Sequence, residues 1–249
     1  MRIAIIGGGL AGLTAALSLK SAGLDAIIYE AVSALRPLGV GINLLPHAVR
    51  ELTELGLLDG LRGLGVEIAG LDYHMADGRA VWSEARGLPA GYRWPQIAIH
   101  RGRFQLFLRD KVLAALGSQA LRTGHALAGV AQEGSEVVLR FRNGATARAD
   151  VAIGADGIHS AVRRQFYPDE GKPVWNGVSL FRSITRMPAP DFGPRMLWAG
   201  HSDQKFIAYP IARQGEEVLL NWVCDLRTAE PGSEPFEDWN RIVARDMLI

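Results

Sequence analysis

The sequence predicts an α/β fold, a parallel-sheet unit interleaved with a smaller antiparallel sheet, and three observations carry that prediction. The β-branched run from Arg2 to Ile6 stops at clustered glycines, after which a helical pattern leads into a second apolar run around Ile27 and Ile28. Strand, helix and strand in that order, within about thirty residues, form a βαβ unit with parallel strands. Val151 to Ile153 is another short apolar run closed by glycine, as a strand buried on both faces would be. Beyond Pro168 the chain reads as one alternating strand after another with little helix. At 249 residues, 48% of them hydrophobic and 21% charged, it can bury a sizeable core in one large domain or two smaller ones.

Taken in order, Leu10, Leu13 and Leu17 recur at helical spacing, and Gly23 stands where a helix-ending glycine belongs. Val49, Leu52, Leu55 and Leu58 mark a helix between Pro46 and Leu64, interrupted at Gly56 and Gly60. Strand-like alternation follows from Val66 to Tyr73, with Asp77-Gly78 as a hairpin turn into Arg79 to Ser83. Glycines and prolines from Gly87 to Pro95 mark a loop. Phe104, Leu108 and Val112 belong to an amphipathic helix over Gly102 to Leu116. Asn143-Gly144 joins strands at Glu136 to Phe141 and Ala145 to Ala149. Four strands are expected at Gly177 to Arg186, Arg195 to His201, Phe206 to Ile211 and Glu217 to Cys224. Trp239, Ile242, Val243, Met247 and Leu248 follow helical spacing with no capping glycine after Ile249, so a helix cut short is expected there. Residues 1–70 and 100–166 are assigned to the parallel-sheet unit, and 71–99 and 167–249 to the antiparallel one.

Charge and cysteine content exclude several function classes. Lys and Arg total 27 against 26 for Asp and Glu, a net charge of +1, which speaks against nucleic acid or an anionic membrane as the partner. The one cysteine, Cys224, excludes an internal disulfide, a CxxC redox pair and a cysteine-based zinc site, and suits the reducing cytoplasm. No metal site is expected. The longest uncharged stretch, Ile3 to Leu19, is too short to span a membrane and is broken by glycines, which also argues against a signal peptide.

The chemistry starts at Gly7-Gly8-Gly9-Leu10-Ala11-Gly12, a GxGxxG motif between a strand and a helix. Gly7 permits the tight turn, Gly9 lets a pyrophosphate approach the backbone, and Gly12 lets helix pack on strand. Glu30 ends the second strand, where a carboxylate accepts hydrogen bonds from ribose hydroxyls. Strand context and acid together define a Rossmann-like dinucleotide site. A helix N-terminus carries about half a unit of positive charge, too little for a dianionic pyrophosphate, so basic residues should stand nearby. Arg36 and Arg101 are the candidates, although a solvated surface arginine is an equal reading for Arg36. Asp156, between Gly154 and Gly157 at the end of a strand, is a candidate ligand contact or the N-cap of a helix through Ser160 to Gln165. His100 and His159 lack a neighbouring acid or nucleophile at motif spacing and are read as structural or exposed. Trp82, Trp94 and Trp175 are core or cleft residues on which a flat ligand could stack.

Three segments together resemble the class A flavin-dependent aromatic hydroxylases: the GxGxxG unit ending in Glu30, Ile99-His100-Arg101, and Gly154-Ala155-Asp156-Gly157 with Ser160 and Arg163. Arg36-Pro37-Leu38-Gly39-Val40-Gly41-Ile42-Asn43, Val81-Trp82-Ser83-Glu84 and Asn221-Trp222-Val223-Cys224 are similar to its phenazine-modifying branch. The resemblance implies FAD along the Rossmann-like unit, its ribose on Glu30 and the adjoining Ala31. It further places Arg101 near the pyrophosphate, the Gly41-Ile42 backbone beside the flavin, and Leu127 near the adenine. NAD(P)H would be the reductant, O2 the oxidant and a planar aromatic or heteroaromatic compound the substrate, with no assigned catalytic side chain. The family's later Gly-Asp segment, whose acid binds the flavin's ribitol, is absent from this sequence, and the first strand, at Arg2 to Ile6, is expected to lack one strand neighbour. A non-catalytic flavin-binding fragment is therefore the alternative. A nicotinamide dehydrogenase would explain the first thirty residues and leave the rest without a role.

Overall fold

The computed structural model describes residues 1–234, and the helix expected around Trp239 to Leu248 lies outside them. The N-terminal strand β1 (Ile3–Ile6), helix α1 (Leu10–Ser21) and strand β2 (Ala26–Tyr29) form the expected βαβ unit. β3 (Gly41–Leu44), α2 (Pro46–Glu54), α3 (Leu58–Leu64) and β4 (Val66–Ile68) follow. Gly56, at φ +72°, separates α2 from α3, whereas Gly60 lies inside α3 and makes room for the Phe107 ring. The single strand expected over Val66 to Tyr73 is two, β4 and β5 (Gly70–His74), which join different sheets. Both halves share the same alternating pattern, so only pairing separates them.

The chain continues through β6 (Ala80–Ala85), β7 (Gln96–His100), α4 (Arg101–Leu116), β8 (Leu121–Arg122), β9 (Leu127–Glu133), β10 (Glu136–Phe141), β11 (Thr146–Ala149), β12 (Val151–Gly154) and α5 (Ala161–Phe166). β9 carries only weak alternation and is a strand the sequence pattern does not mark. The last four strands are β13 (Val178–Pro188), β14 (Arg195–Gly200), β15 (Gln204–Gln214) and β16 (Glu217–Arg227).

A four-stranded parallel sheet runs β12-β1-β2-β8. This corrects one expectation. β1 has a neighbour on either side, with Ile5 opposite both Ile28 and Ile153, so the edges of the sheet among the described residues are β12 and β8. β12 is also less buried than its apolar sequence suggests, with Val151 39% exposed. On one face of the sheet, Ile5, Leu13, Ile28, Phe104, Leu108 and Val112 bring β1, β2, α1 and α4 into one core. On the other, Ala4, Ile6, Tyr29, Leu127 and Phe141 pack the β9-β10-β11 sheet against it.

The large sheet runs β13-β16-β15-β14-β5-β6. It is antiparallel except between its fourth and fifth strands, where β14 lies parallel to β5 with Trp198 opposite Tyr73. Arg195 crosses that seam with a two-pronged hydrogen bond to Asp72, Nε at 2.7 Å and Nη2 at 2.6 Å. A Cβ on Gly70 would meet the guanidinium, so a larger residue there would push the Arg195 head aside. A three-stranded β3-β7-β4 sheet connects the two halves, and Ile68, Ala98, Tyr209 and Ile211 form the buried contact.

Candidate functional site

The glycine-rich turn is built by close backbone approach. Gly7 (φ +109°) lies against the carbonyl of Ala155, so the turn after β1 and the segment after β12 meet directly. A Cβ on Gly12 would fall on the Gly7 carbonyl oxygen, which is why α1 can start only with glycine there. A Cβ on Gly9, by contrast, would meet nothing within 4 Å. Gly9 is the N-cap of α1, no side chain caps the helix, and its first turn holds no acid. Leu10 and Ala11 open the helix, with Ala11 exposed. The turn thus presents open space in front of uncapped N–H groups, the geometry an anionic diphosphate requires.

Glu30 reaches back over this turn. Its Oε2 accepts the Gly8 N–H at 2.6 Å and its Oε1 the Val32 N–H at 2.9 Å, which fixes the carboxylate while leaving acceptor capacity on both oxygens. Ala31 is exposed beside it. The strip from Arg122 to His125 runs along Glu30 to Val32 through the Glu30–Arg122, His125–Glu30 and Gly124–Val32 backbone hydrogen bonds. Leu127, next along this strip, turns its side chain into the core at 7% exposure, so a ligand at the strip meets backbone rather than the leucine side chain.

Arg101 is the first residue of α4, not a residue ahead of it, and its stem passes beside Gly39. One helical turn further on, Gln105 Nε2 donates to the Gly8 carbonyl at 2.9 Å. Residues four apart share a helix face, so this contact turns the Arg101 face of α4 toward the glycine turn. Gln105 is a residue that motif reading passes over, and the arginine-to-glutamine spacing of four is the signal that would have found it. Arg36 is exposed in the adjoining loop, and neither Arg36 nor Arg101 has an ion-pair partner among the described residues.

His100 caps α4: its Nδ1 accepts the Gly102 N–H at 3.1 Å and the Arg103 N–H at 3.4 Å. Burial, and then the neighbouring Arg103, hold its pKa below the ordinary 6.5. At the other motif, Asp156 accepts from Ser160 Oγ at 2.5 Å, Ala161 N at 2.7 Å and Val162 N at 3.3 Å. Ser160 itself is the N-cap of α5, with Oγ accepting from Arg163 N, and Asp156 supports the same helix end from one turn before. Gly157 (φ +79°) turns the chain between them.

Gly41 and Ile42 open β3, and the Gly41 N–H donates to Asn221 Oδ1 at 2.7 Å. A Cβ on Gly41 would sit 2.7 Å from Asn221 Cγ, so glycine is needed for the two sheets to meet. Beyond Asn221 the same face of the large sheet carries Tyr209, Ile207, Val223, Lys205 and Asp225, since alternate residues on paired strands point the same way. Burial pushes the Tyr209 hydroxyl up, opposed by Arg182 and the Asn43 side chain. Trp198 and Tyr73 lie farther along that face with ring centroids 5.3 Å apart. These are not the tryptophans singled out by position in the chain: Trp82 is 64% exposed on the outer strand, Trp94 packs against the main core, and Trp175 donates its Nε1–H to the Val178 carbonyl.

A glycine turn facing a helix N-terminus, a carboxylate over the turn and a sheet face leading away from it define a dinucleotide-binding α/β protein with an adjoining cleft. Residues 1–246 match the family described as FAD binding domain; the chain belongs to that family, and FAD is its cofactor. The chain is 36% identical over 236 residues to a phenazine 1,6-dicarboxylic acid hydroxylase of Lysobacter antibioticus, covering 89% of this chain and 57% of that protein. It is 34% identical to a 3-amino-4-hydroxybenzoate 2-monooxygenase of Streptomyces cremeus, covering 98% and 64%. The solved 2,6-dihydroxypyridine-3-hydroxylase of Arthrobacter nicotinovorans superposes with a TM-score of 0.72 at 28% identity, covering 92% of this chain and 57% of that one. Klebsiella pneumoniae HpxO, solved with FAD and uric acid, shares the fold at a TM-score of 0.77, 21% identity and the same two shares of 92% and 57%. The chain thus spans less than two thirds of the length of these relatives. Among the described residues no helix is long and apolar enough to cross a membrane, and no cluster of His, Cys, Asp and Glu could hold a metal ion.

Proposed function

We propose that this chain supplies the FAD-binding and substrate-facing parts of a cytoplasmic monooxygenase that uses NAD(P)H and O2 to hydroxylate a planar aromatic or heteroaromatic compound, of phenazine or salicylate type. The observation that carries the reading is the open space in front of Gly9 at an uncapped helix end, with Glu30 fixed over the same turn. Residues 1–70 and 100–166 form the flavin-binding unit, and 71–99 with the chain from 167 onward the substrate unit. No nucleic acid or membrane takes part.

In this reading the Gly9, Leu10, Ala11 and Gly12 N–H groups receive the pyrophosphate, with Arg101 and Arg36 supplying the remaining positive charge. Glu30 accepts the ribose hydroxyls, next to Ala31. The strip at Leu127 borders the adenine, and Gly7, Asp156 and Gly157 hold the end of β12 against the turn. The Gly41-Ile42 backbone lies along the flavin ring, held there by Asn221. FAD, when bound, supplies the electron transfer and the activation of oxygen. The chain's own side chains orient the substrate and exclude water, and none is assigned a bond-making role.

An absorption spectrum of the purified protein, with its bound cofactor released and identified, tests the reading. Flavin bands and FAD are expected. A nicotinamide dinucleotide in their place, or failure to take up FAD on reconstitution, would overturn it.

A further inference from the structure

The face of the large sheet that meets Gly41 ends in an ion pair that plays no part in the dinucleotide site. Lys205 and Asp225 are directly opposite on β15 and β16, with Nζ 3.0 Å from Oδ2. Asp225 is 8% exposed, and its second oxygen, Oδ1, is buried without a hydrogen-bond donor. An unpaired carboxylate oxygen in that setting is an acceptor awaiting a donor. Lys205 Nζ stands 5.7 Å from the centre of the Trp198 ring, which pairs with Tyr73, and an ammonium offers three donors of which Asp225 uses one. A cavity of about 370 Å3 reaches Lys205 from the side of β5 and β14, lined by Tyr73, Trp198 and Gly200, whereas Asp225 lies outside its lining.

The position of the pair gives it a direction. Asn221, on Gly41, and Asp225 are four residues apart on one strand, about 13 Å at 3.3 Å per residue. Ile207 and Val223 fill the row between them, an apolar floor. Arg182 stands opposite Val223 on the neighbouring strand and has no ion-pair partner among the described residues. The far end of the row therefore offers one cation and one anion, with Trp198 beside Lys205 and Arg182 level with the middle of the floor. A planar ring on this floor would turn one edge toward Gly41 and Ile42 and the opposite edge toward Lys205 and Asp225.

We propose that Lys205 and Asp225 are the specificity-determining pair of this slot, Lys205 receiving a carboxylate on the remote edge of an aromatic ring and Asp225 Oδ1 receiving a hydroxyl or amino donor beside it. This rests on the monooxygenase reading only for what the slot serves, not for the recognition itself.

The test is calorimetric titration of the protein, with and without FAD, using 2-hydroxybenzoate, benzoate and 2-hydroxybenzamide. The wild type should bind 2-hydroxybenzoate about ten- to hundredfold more tightly than either analogue, the usual worth of a hydrogen bond to a charged group. Lys205→Met should erase the preference for the acid over the amide, and Lys205→Arg should keep it. Asp225→Leu, close in shape to the native side chain and without an acceptor, should erase the preference for the hydroxylated ring while the acid remains preferred. No binding of 2-hydroxybenzoate, indifference among the three probes, or a Lys205→Met protein that still prefers the acid would overturn the assignment. FAD affinity, titrated separately, should be unchanged in every variant. Loss of FAD binding with discrimination intact would sink the flavin reading and leave the pair standing, and the converse result would do the opposite.

Discussion

Asn221 Oδ1 accepts the backbone N–H of Gly41 at 2.7 Å across 180 residues of sequence. Asn221 is completely buried, and its amide nitrogen has no partner of its own. This one hydrogen bond ties the large sheet to the strand that would lie along the flavin. Asn221→Ala should lower unfolding stability by about 1–3 kcal/mol, because the Gly41 N–H is left buried and unsatisfied. Chemical denaturation with an unchanged m-value would confirm it, and a loss of less than a few tenths would show that water replaces the side chain.

The glycine turn offers a paired test. Gly9→Ala should fold normally, since its methyl has open space, yet lose most of its affinity for FAD, since that space is where a pyrophosphate would approach. Gly12→Ala should instead lose stability, because its methyl would strike the Gly7 carbonyl. Thermal melts and flavin-quenching titrations separate the two, and equal behaviour of both variants would refute the assignment.

Glu30→Gln should weaken FAD binding by about 1.5–3 kcal/mol, the range for hydrogen bonds to a charged group. The glutamine retains one oxygen for the Gly8 N–H, so the turn should stay formed. A carboxylate at this point also repels a 2′-phosphate, so the wild type should discriminate against 2′-phosphorylated dinucleotides at this site and the variant less so. Calorimetry on both proteins measures each difference.

His100 makes the N-terminus of α4 sensitive to pH. Its imidazole accepts two backbone N–H groups, and partial burial, followed by the charge of Arg103, makes the folded state resist protonation, so the folded pKa lies below 6.5. Between 6.5 and that lower value the unfolded chain takes up a proton and the folded one does not. The stabilisation is therefore complete above 6.5 and is lost as pH falls toward the folded pKa. His100→Asn, which can cap without titrating, should flatten the melting temperature against pH in that window. An unchanged profile would assign the acid sensitivity to other groups.

What the sequence makes legible here is local. Gly7, Gly9, Gly12 and Glu30 stand at spacings fixed by one turn and one helix, and the fold class follows from them. Gln105, Asn221, Lys205 and Asp225 acquire meaning only through packing or cross-strand register, which places Lys205 opposite Asp225 and Asn221 over Gly41. The same limit joined β4 and β5 into one expected strand. Leu127 marks the boundary between the two kinds of inference, since resemblance assigns its neighbourhood while packing decides that its side chain is core.

The parallel seam between β5 and β14 has a consequence for how the chain is made. Asp72 and Arg195, which clamp that seam, are 123 positions apart. Ribosomes add about 5–20 residues per second, so the β5–β6 hairpin waits roughly 6 to 25 seconds after synthesis before its partner emerges. During that interval the intervening chain completes the parallel sheet, while β5 offers an open edge with Leu71 and Tyr73 on one of its faces. Mutations that slow formation of the first sheet should therefore show themselves as aggregates nucleated at Gly70–His74, even when the finished protein is as stable as before.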